Sequence, residues 1–344
     1  MDLSYAQHLE DYHLAQAFAG QKEGFYIDVG AGHPVADNVT CWFYLQGWRG
    51  LVIEPQADLA ALYAHVRPRD IAIPALVGAR EGDVDFHIVD RLHGFSTVHA
   101  EIAAGAQQFG AGYTTRSMPM TTLAALTRDY ALPRVDILKI DVEGAEREVL
   151  EGIDWSRLRP RVILLESVEP GSMAEAHHDW EPLLLAQNYE FVLFEGLNRF
   201  YVAHEEEALR ARFPAQKADW LAVPHLGHTN RAPFREDHPD HAFARDLLGC
   251  VFAALPMLDR DLIVSMLTAR IPAQELAREP DAVMRQAVID RLFPGAPFTD
   301  ARAGLESLKA PTLLEFYRKL VDTDAFRVMT GRLAMSWDGG QILD

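Results

Sequence analysis

The stretch that decides the fold is Gly24-Phe25-Tyr26-Ile27-Asp28-Val29-Gly30-Ala31-Gly32. Its apolar run, rich in aromatic and β-branched residues, predicts a buried β-strand. Asp28 stands near the end of this run, and two glycines follow, so that fewer Cβ atoms keep a bulky ligand away from the backbone of the turn. Doubly wound α/β proteins bind nucleotide-like ligands where a parallel strand enters such a turn. The stretch therefore predicts that fold with a ligand at this turn, and an ordinary strand-to-helix turn is the alternative.

The same turn also indicates which nucleotide it binds. A dinucleotide-binding fingerprint needs a third glycine three residues after Gly32, and Val35 stands there instead. Asp28 suits a ligand that offers a cation or hydroxyl groups better than one that offers phosphates. We therefore expect S-adenosylmethionine, an adenosine that carries a sulfonium and an amino acid tail.

Further strands alternate with helix-like segments, which predicts a mostly parallel sheet. We expect these strands over residues 50–55, 71–78, 135–141 and 161–166, with a short extra strand over 84–89. Two last strands, over 189–194 and 199–203, are separated by only four residues and should pair as an antiparallel hairpin. A parallel sheet that ends in such a hairpin is the Rossmann-like layout of class I methyltransferases, and it argues against an NAD(P)-dependent oxidoreductase.

The last third of the chain has a different sequence pattern, in which helical periodicity dominates. We expect a catalytic domain over residues 1–222, a linker rich in turn formers over 223–236 and a helical region over 237–344. The sequence of the helical region indicates no function for it. Its apolar stripes could cover the catalytic domain, form a homo-oligomer contact or bind a partner protein.

Composition excludes several classes of protein. The net charge of −18, from 32 basic and 50 acidic residues, disfavours nucleic acid as a partner. No apolar run is long enough to predict a transmembrane helix, and no signal peptide is expected at the N-terminus. The only cysteines, Cys41 and Cys250, form no disulfide framework, which favours a cytoplasmic location.

Several separated motifs together resemble the FkbM-type S-adenosylmethionine-dependent methyltransferases. The matching pieces are Ser4-Tyr5-Ala6-Gln7 with Glu10-Asp11, the stretch 25–32, Gly47-Trp48-Arg49-Gly50 with Ile53-Glu54-Pro55, Leu138-Lys139-Ile140-Asp141-Val142-Glu143-Gly144-Ala145-Glu146, and 196–202. His33-Pro34 departs from the usual small polar residues, and the resemblance fades near Pro214. It implies an enzyme that methylates a small-molecule or glycan acceptor, on a hydroxyl of a sugar, a polysaccharide or a secondary metabolite.

Cofactor-binding residues are predicted near the ends of the first two strands. Glu54 stands where an acceptor for the ribose hydroxyls belongs. Gly30 and Gly32 would let the methionine moiety approach the backbone, and Asp28 would act on its ammonium group directly or through water. Glu10 and Asp11 are expected either to close over the cofactor or to lie on the solvated face of an N-terminal helix. These two alternatives stay open at the level of sequence.

The predicted catalytic pair lies at the end of the fourth parallel strand. Side chains alternate along a strand, so that Lys139 and Asp141 point to the same side. The lysine would hold Asp141 ionised to act as a base toward an acceptor hydroxyl, and a structural ion pair is the alternative. Asp141 and Glu166 could also hold Mg²⁺ between them. A metal-free version, with Asp141 or a histidine as the base, is equally open.

Other features favour no site. His177-His178 is interpreted as a structural pair in a polar loop, and no carboxylate cluster is expected to complete a metal site there. Two other functions stay as alternatives to a methyltransferase: an NAD(P)-dependent oxidoreductase, and a non-catalytic binding module whose tail docks partners.

Overall fold

A computed structural model of the chain describes residues 1, 3–89, 95–169 and 172–226. The chain divides into two units, Met1–His225 and Leu226–Asp344, and the elements given below lie in the first unit. The helical region predicted over 237–344, most of the linker predicted over 223–236 and Cys250 lie outside the described residues. The predicted domain boundaries therefore stay a prediction.

The described helices and strands alternate along most of the chain, except that β3 to β5 and β9 to β10 follow one another directly. The helices are α1 (Glu10–Ala17), α2 (Cys41–Leu45), α3 (Ala57–Val66), α4 (Ala100–Gly105), α5 (Leu123–Asp129), α6 (Glu146–Glu151), α7 (Glu181–Ala186) and α8 (Glu207–Arg210). The strands are β1 (Phe25–Val29), β2 (Arg49–Ile53), β3 (Ile71–Ile73), β4 (Leu76–Val77), β5 (Gly82–Val89), β6 (Tyr113–Thr121), β7 (Ile137–Ile140), β8 (Val162–Glu166), β9 (Tyr189–Phe194) and β10 (Asn198–Ala203). Within the described residues, none of the helices is both long and apolar enough to cross a membrane.

The main sheet has seven strands in the order β3-β2-β1-β7-β8-β10-β9. The first five strands in this order, β3, β2, β1, β7 and β8, run parallel. β10 runs antiparallel to both β8 and β9, which makes the predicted hairpin. The α/β fold of the class I methyltransferase type is thus confirmed. Because β2, β1 and β7 are neighbours, their carboxyl ends meet at one edge of the sheet.

Both faces of this sheet are buried, as expected for parallel strands covered by helices. Ile27, Val29 and Leu138 pack in the apolar cluster on one face, and Tyr26 and Ile137 pack in the cluster on the other. Alternation places Lys139 on the same face as Ile137. The strand that carries the predicted catalytic lysine is therefore fixed by core packing on both sides.

The predicted third strand over 71–78 is wrong as a single element. It is divided into β3 and β4, and Pro74, which has no N–H to donate, stands between them. β4 leaves the main sheet and joins a second sheet of three strands in the order β4-β6-β5. The sequence did not predict β6, because most of its residues are exposed and their polar pattern lacks the alternation of a half-buried strand.

Candidate functional site

The turn after β1 contains the two predicted glycines, and the structure gives them different surroundings. Gly30 has a left-handed φ of 71°, and a Cβ placed on it would lie 1.7 Å from the carbonyl oxygen of Asp141. Gly30 therefore allows the ends of β1 and β7 to pack against each other. Gly32 has a φ of 58°, but among the described residues no atom lies within 4 Å of its Cβ position. Of the two glycines, Gly32 is the one that faces open space.

Asp28 is fully buried and is engaged by the protein itself. Its Oδ2 accepts a hydrogen bond of 2.7 Å from Thr40 Oγ1, and its Oδ1 lies 3.5 Å from Lys139 Nζ. The register of the sheet explains this second contact, because Asp28 and Lys139 are direct partners on β1 and β7. The carboxylate thus holds both the start of α2 and the lysine of the next strand.

A buried arginine, Arg67, supports the turn from behind. Its guanidinium donates to Asn38 Oδ1 at 2.8 Å, to Thr40 Oγ1 at 2.9 Å and to the Tyr26 hydroxyl at 2.9 Å. Its Nε donates to Asp70 Oδ2 at 2.7 Å. Sequence reasoning missed this residue, because nothing in the pattern around an arginine after a helix shows that it is buried.

Glu54 follows β2 and joins the two loops of the predicted cofactor site. Its Oε2 accepts the Gly32 N–H at 2.9 Å, and its Oε1 accepts the Gln56 N–H at 2.7 Å. The side chain is buried, and this burial raises the pKa of Glu54 to about 7. The predicted ribose acceptor therefore lies directly beside the open space at Gly32.

Lys139 links β1 to β7 through its buried ammonium group. Nζ donates to the Gly30 carbonyl oxygen at 2.7 Å and lies 3.2 Å from Asp141 Oδ2. Burial alone would lower the pKa of Lys139, but the carboxylates of Asp141 and Asp28 outweigh it and raise the pKa above its ordinary value. Lys139 is thus a fixed positive charge beside Asp141.

Three carboxylates converge at the ends of β7 and β8. Asp141, Glu143 and Glu166 each place a carboxylate oxygen within 4.8 Å of the others. Burial, followed by repulsion from Glu143 and Asp141, raises the pKa of Glu166 well above its ordinary value. The sequence predicted Asp141 and Glu166 but missed Glu143, which has a left-handed φ of 55°. A turn of this kind, three residues beyond the end of β7, cannot be predicted from residue types alone.

The loop that presents Glu143 is fixed from two sides. From within, buried Glu146 accepts the N–H groups of Val142 and Gly144 at 3.1 and 3.2 Å, and burial raises its pKa to about 7. From the segment that bridges to β5, Thr97 Oγ1 donates to the Glu143 carbonyl oxygen at 2.8 Å. The cluster therefore stands on a rigid loop.

His99 borders this loop and was not predicted from the sequence. Its backbone N–H donates to Thr97 Oγ1 at 3.1 Å, and its Cδ2 would lie 3.6 Å from a Cβ at Gly144. Within the described part of the chain, no group hydrogen-bonds to the buried His99 Nε2. No motif in the sequence predicted this wall.

Glu10 and Asp11 are buried, so that their placement on a solvated helix face is wrong. Asp11 accepts hydrogen bonds from Ser4 Oγ at 2.6 Å and from the Tyr5 N–H at 2.7 Å. Burial raises the pKa of Asp11 to about 6. Glu10 Oε1 accepts from Asn198 Nδ2 at 2.8 Å, which joins the start of α1 to the hairpin turn.

The N-terminal segment reaches the predicted cofactor loop through Asn38. The Asn38 N–H donates to the Tyr5 carbonyl oxygen at 2.9 Å, and Asn38 Nδ2 donates to the Ala31 carbonyl oxygen at 2.8 Å. Glu10 and Asp11 thus hold a segment that borders the loop. A direct contact of either carboxylate with the cofactor stays a prediction.

The region that contains these site residues matches a known protein family. Residues 28–191 match the family model described as the methyltransferase FkbM domain. The FkbM resemblance is confirmed. The match to the FkbM domain includes Glu54, Lys139, Asp141, Glu143 and Glu166, whereas Glu10 and Asp11 precede it.

A curated relative points the same way over a short stretch. Methyltransferase sdnD of Sordaria araneosa is 46% identical over 48 residues, which cover 13% of this chain and 18% of that protein. The match thus spans less than a fifth of the relative's length. No solved structure matches the chain.

Proposed function

We propose that this chain transfers a methyl group from S-adenosylmethionine to a hydroxyl of a sugar, a polysaccharide or a secondary metabolite. The observation that carries the proposal is the site at Gly32, inside the match to the FkbM domain. There a buried carboxylate, Glu54, stands beside open space at the neighbouring ends of β1 and β2. When bound, S-adenosylmethionine supplies an electrophilic methyl group on its sulfonium. The hydroxyl acceptor class follows from the FkbM resemblance alone.

The described residues fit the adenosine part of this cofactor. Glu54 Oε2, which accepts a hydrogen bond from the Gly32 N–H in the present structure, would accept hydrogen bonds from the ribose hydroxyls when the cofactor binds. Asp28 is fully buried against Thr40 and Lys139, which supports a role in holding the turn rather than in touching the cofactor. Gly30 keeps the ends of β1 and β7 close together.

On the acceptor side we assign the proton acceptor to Asp141. Its side chain is 28% exposed, and its Oδ2 lies 3.2 Å from the Lys139 ammonium, so that the carboxylate is both oriented and open to an acceptor hydroxyl. Burial, followed by repulsion from Glu143 and Asp141, raises the pKa of Glu166, which disfavours its ionised form beside Asp141. His99 forms part of the adjoining wall and is the alternative base.

A second form of the proposal includes a metal ion. Asp141, Glu143 and Glu166 are oxygen donors in one cluster, the donor type that Mg²⁺ prefers. Bound there, Mg²⁺ would lower the pKa of an acceptor hydroxyl. Activity that survives EDTA supports the metal-free form, whereas loss with EDTA and recovery with Mg²⁺ supports the metal form.

Cofactor binding tests the assignment of Glu54. We expect Glu54→Ala to lose about 1–3 kcal/mol of S-adenosylmethionine binding, because a charged hydrogen bond disappears. Calorimetry on the full chain measures the affinity, with NAD as a comparison ligand and the exposed Glu23→Ala as a matched control. Unchanged affinity in Glu54→Ala would show that this assignment is wrong, and tighter binding of NAD would reject the cofactor.

Turnover tests the assignment of Asp141. Isotopically labelled cofactor, incubated with fractions of cell extract and read by mass spectrometry, identifies an acceptor. With that acceptor, Asp141→Asn should lower kcat at least about 100-fold and leave cofactor affinity unchanged, because only the base is removed. The control is Asp83→Asn, on an exposed position of β5. Equal kcat in Asp141→Asn and the unmodified chain would contradict the role of Asp141.

A further inference from the structure

The segment after β8 brings together three metal-binding side chains outside the proposed methyl-transfer site. Glu175, His177 and His178 each place one ligand atom within 4.8 Å of the others. The chain turns back on itself here, because Glu175 forms an antiparallel bridge with Val168. The interpretation of His177-His178 as a pair without a neighbouring carboxylate is therefore wrong. Glu175 stands only two residues before His177, and the turn directs its carboxylate toward the two rings.

His177 is buried, and its two ring nitrogens have unlike surroundings. Nδ1 lies 3.3 Å from Glu175 Oε2, and none of the described residues forms a hydrogen bond with it. Nε2 faces Glu181 Oε2 at 3.9 Å. A proton on Nε2, toward Glu181, leaves the Nδ1 lone pair directed at a carboxylate.

Two acceptors that face each other repel unless a cation lies between them. A neutral imidazole nitrogen beside a carboxylate oxygen is the arrangement that a metal ion stabilises. His178 adds a second imidazole, with its ring centroid 4.1 Å from that of His177. The side chains of His178 and Glu175 are exposed, so that an ion can reach the cluster from solvent.

The residues behind the cluster are already ordered. Arg199 donates to Glu175 Oε2 at 3.2 Å, and Tyr201 donates its hydroxyl proton to Glu181 Oε1 at 2.7 Å. Supporting groups of this kind orient the ligands of metal sites. Arg199 contacts the same Oε2 that faces His177 Nδ1, so that a bound cation shares this oxygen with Arg199 or takes the other oxygen of the exposed carboxylate.

We propose that Glu175, His177 and His178 bind one Zn²⁺ ion through two imidazole nitrogens and one carboxylate oxygen. Two nitrogens and an oxygen suit Zn²⁺ better than Mg²⁺, which prefers oxygen donors alone. Zinc–ligand bonds of about 2.0–2.2 Å require ligand atoms to approach more closely than the present spacing, by roughly 1 Å. The exposed side chains of Glu175 and His178 supply that movement, and water completes the coordination. The site is independent of the proposed methyl transfer.

Titration of the full chain, freed of metals, with Zn²⁺ tests the proposal. Calorimetry should show a saturable site whose affinity falls at least about tenfold in His178→Ala and in Glu175→Gln, since each removes one ligand. The matched control is His204→Ala, an exposed histidine that also lies beside a glutamate, Glu190. Circular dichroism confirms that the variants fold. Both altered side chains are exposed, so that neither change disturbs the core.

Co²⁺ in place of Zn²⁺ gives an independent spectroscopic readout. We expect intense visible absorption typical of a four-coordinate site with nitrogen ligands, and its loss in both variants but not in Glu143→Gln. Zn²⁺ affinity that is unchanged in His178→Ala and Glu175→Gln overturns the proposal. A weak octahedral spectrum that disappears in Glu143→Gln also overturns it, because the ion would then lie in the acidic cluster at β7 and β8.

Discussion

On the β1 and β2 side of the sheet edge, buried carboxylates lie against hydrogen-bond donors, whereas on the β8 side carboxylates lie against one another. Asp28 is matched by Thr40 and Lys139, and Glu54 by the N–H groups of the loops. Glu166 instead faces Asp141 and Glu143. We call the β1 and β2 side the balanced side, because its paired carboxylates favour a fixed shape around a ligand. We call the β8 side the acidic side, because its clustered carboxylates favour binding of a proton or a cation. The variants below test whether this difference is real.

The largest loss of stability is expected from Arg67→Met on the balanced side. The change leaves Asp70 as a buried charge without its partner and removes donors from Asn38 and Thr40. Breaking such a pair should lower the free energy of unfolding by about 3–5 kcal/mol. Urea unfolding followed by circular dichroism measures it. The control, Arg128→Met, removes an exposed arginine and should stay within about 0.5 kcal/mol; similar losses in both variants would mean that the buried network is not special.

The next largest effect should distinguish the two glycines of the turn. Gly30→Ala places a methyl group against the Asp141 carbonyl oxygen and should lower the free energy of unfolding by about 3 kcal/mol. Gly32→Ala carries only the left-handed backbone cost of about 1 kcal/mol, but its methyl group enters the proposed cofactor space. We therefore expect Gly32→Ala to weaken S-adenosylmethionine binding more than it weakens folding. If Gly32→Ala lowered the free energy of unfolding more than Gly30→Ala does, Gly30 could not be called the packing glycine and Gly32 the ligand-facing one.

The smallest effect is a change in how stability depends on pH. Burial raises the pKa of Glu54 from its ordinary 4.5 to about 7, so that the folded chain binds this proton more tightly than the unfolded chain. The free energy of unfolding should therefore decrease as pH rises from about 4.5 to about 7, by on the order of 2 kcal/mol from this group. Glu54→Gln should lose that part of the slope, as measured by urea unfolding at a series of pH values.

A matched control for the pH series is Glu205→Gln. Its hydrogen bond with Arg159 lowers the pKa of Glu205 to about 2, so that this group titrates below the range in question. The variant should therefore keep the full slope above pH 5. An unchanged slope in Glu54→Gln would show that the Glu54 carboxyl group is not desolvated in solution.

The sequence predicted the parallel sheet, the terminal hairpin and the positions of the strand ends, because these depend on local apolar patterns and short connections. It failed where a strand is polar and exposed, as in β6, and where Pro74 interrupts an apolar run. It named Asp141 and Glu166 but not Glu143. For Glu10 and Asp11 it left two alternatives open; burial excludes the solvated helix face, and closure over the cofactor stays a prediction.

What the sequence determined by itself is the order of elements and the residues that stand at the ends of β1, β2, β7 and β8. Only the tertiary structure decided that Gly30 packs against Asp141, that Arg67 is buried and that Glu166 faces Glu143. The physical reason is range. Strand periodicity depends on neighbouring residues and can be recognised in the sequence. The burial of a charged side chain and the identity of its partner depend on segments that are distant in the chain and that the fold brings within a few ångströms.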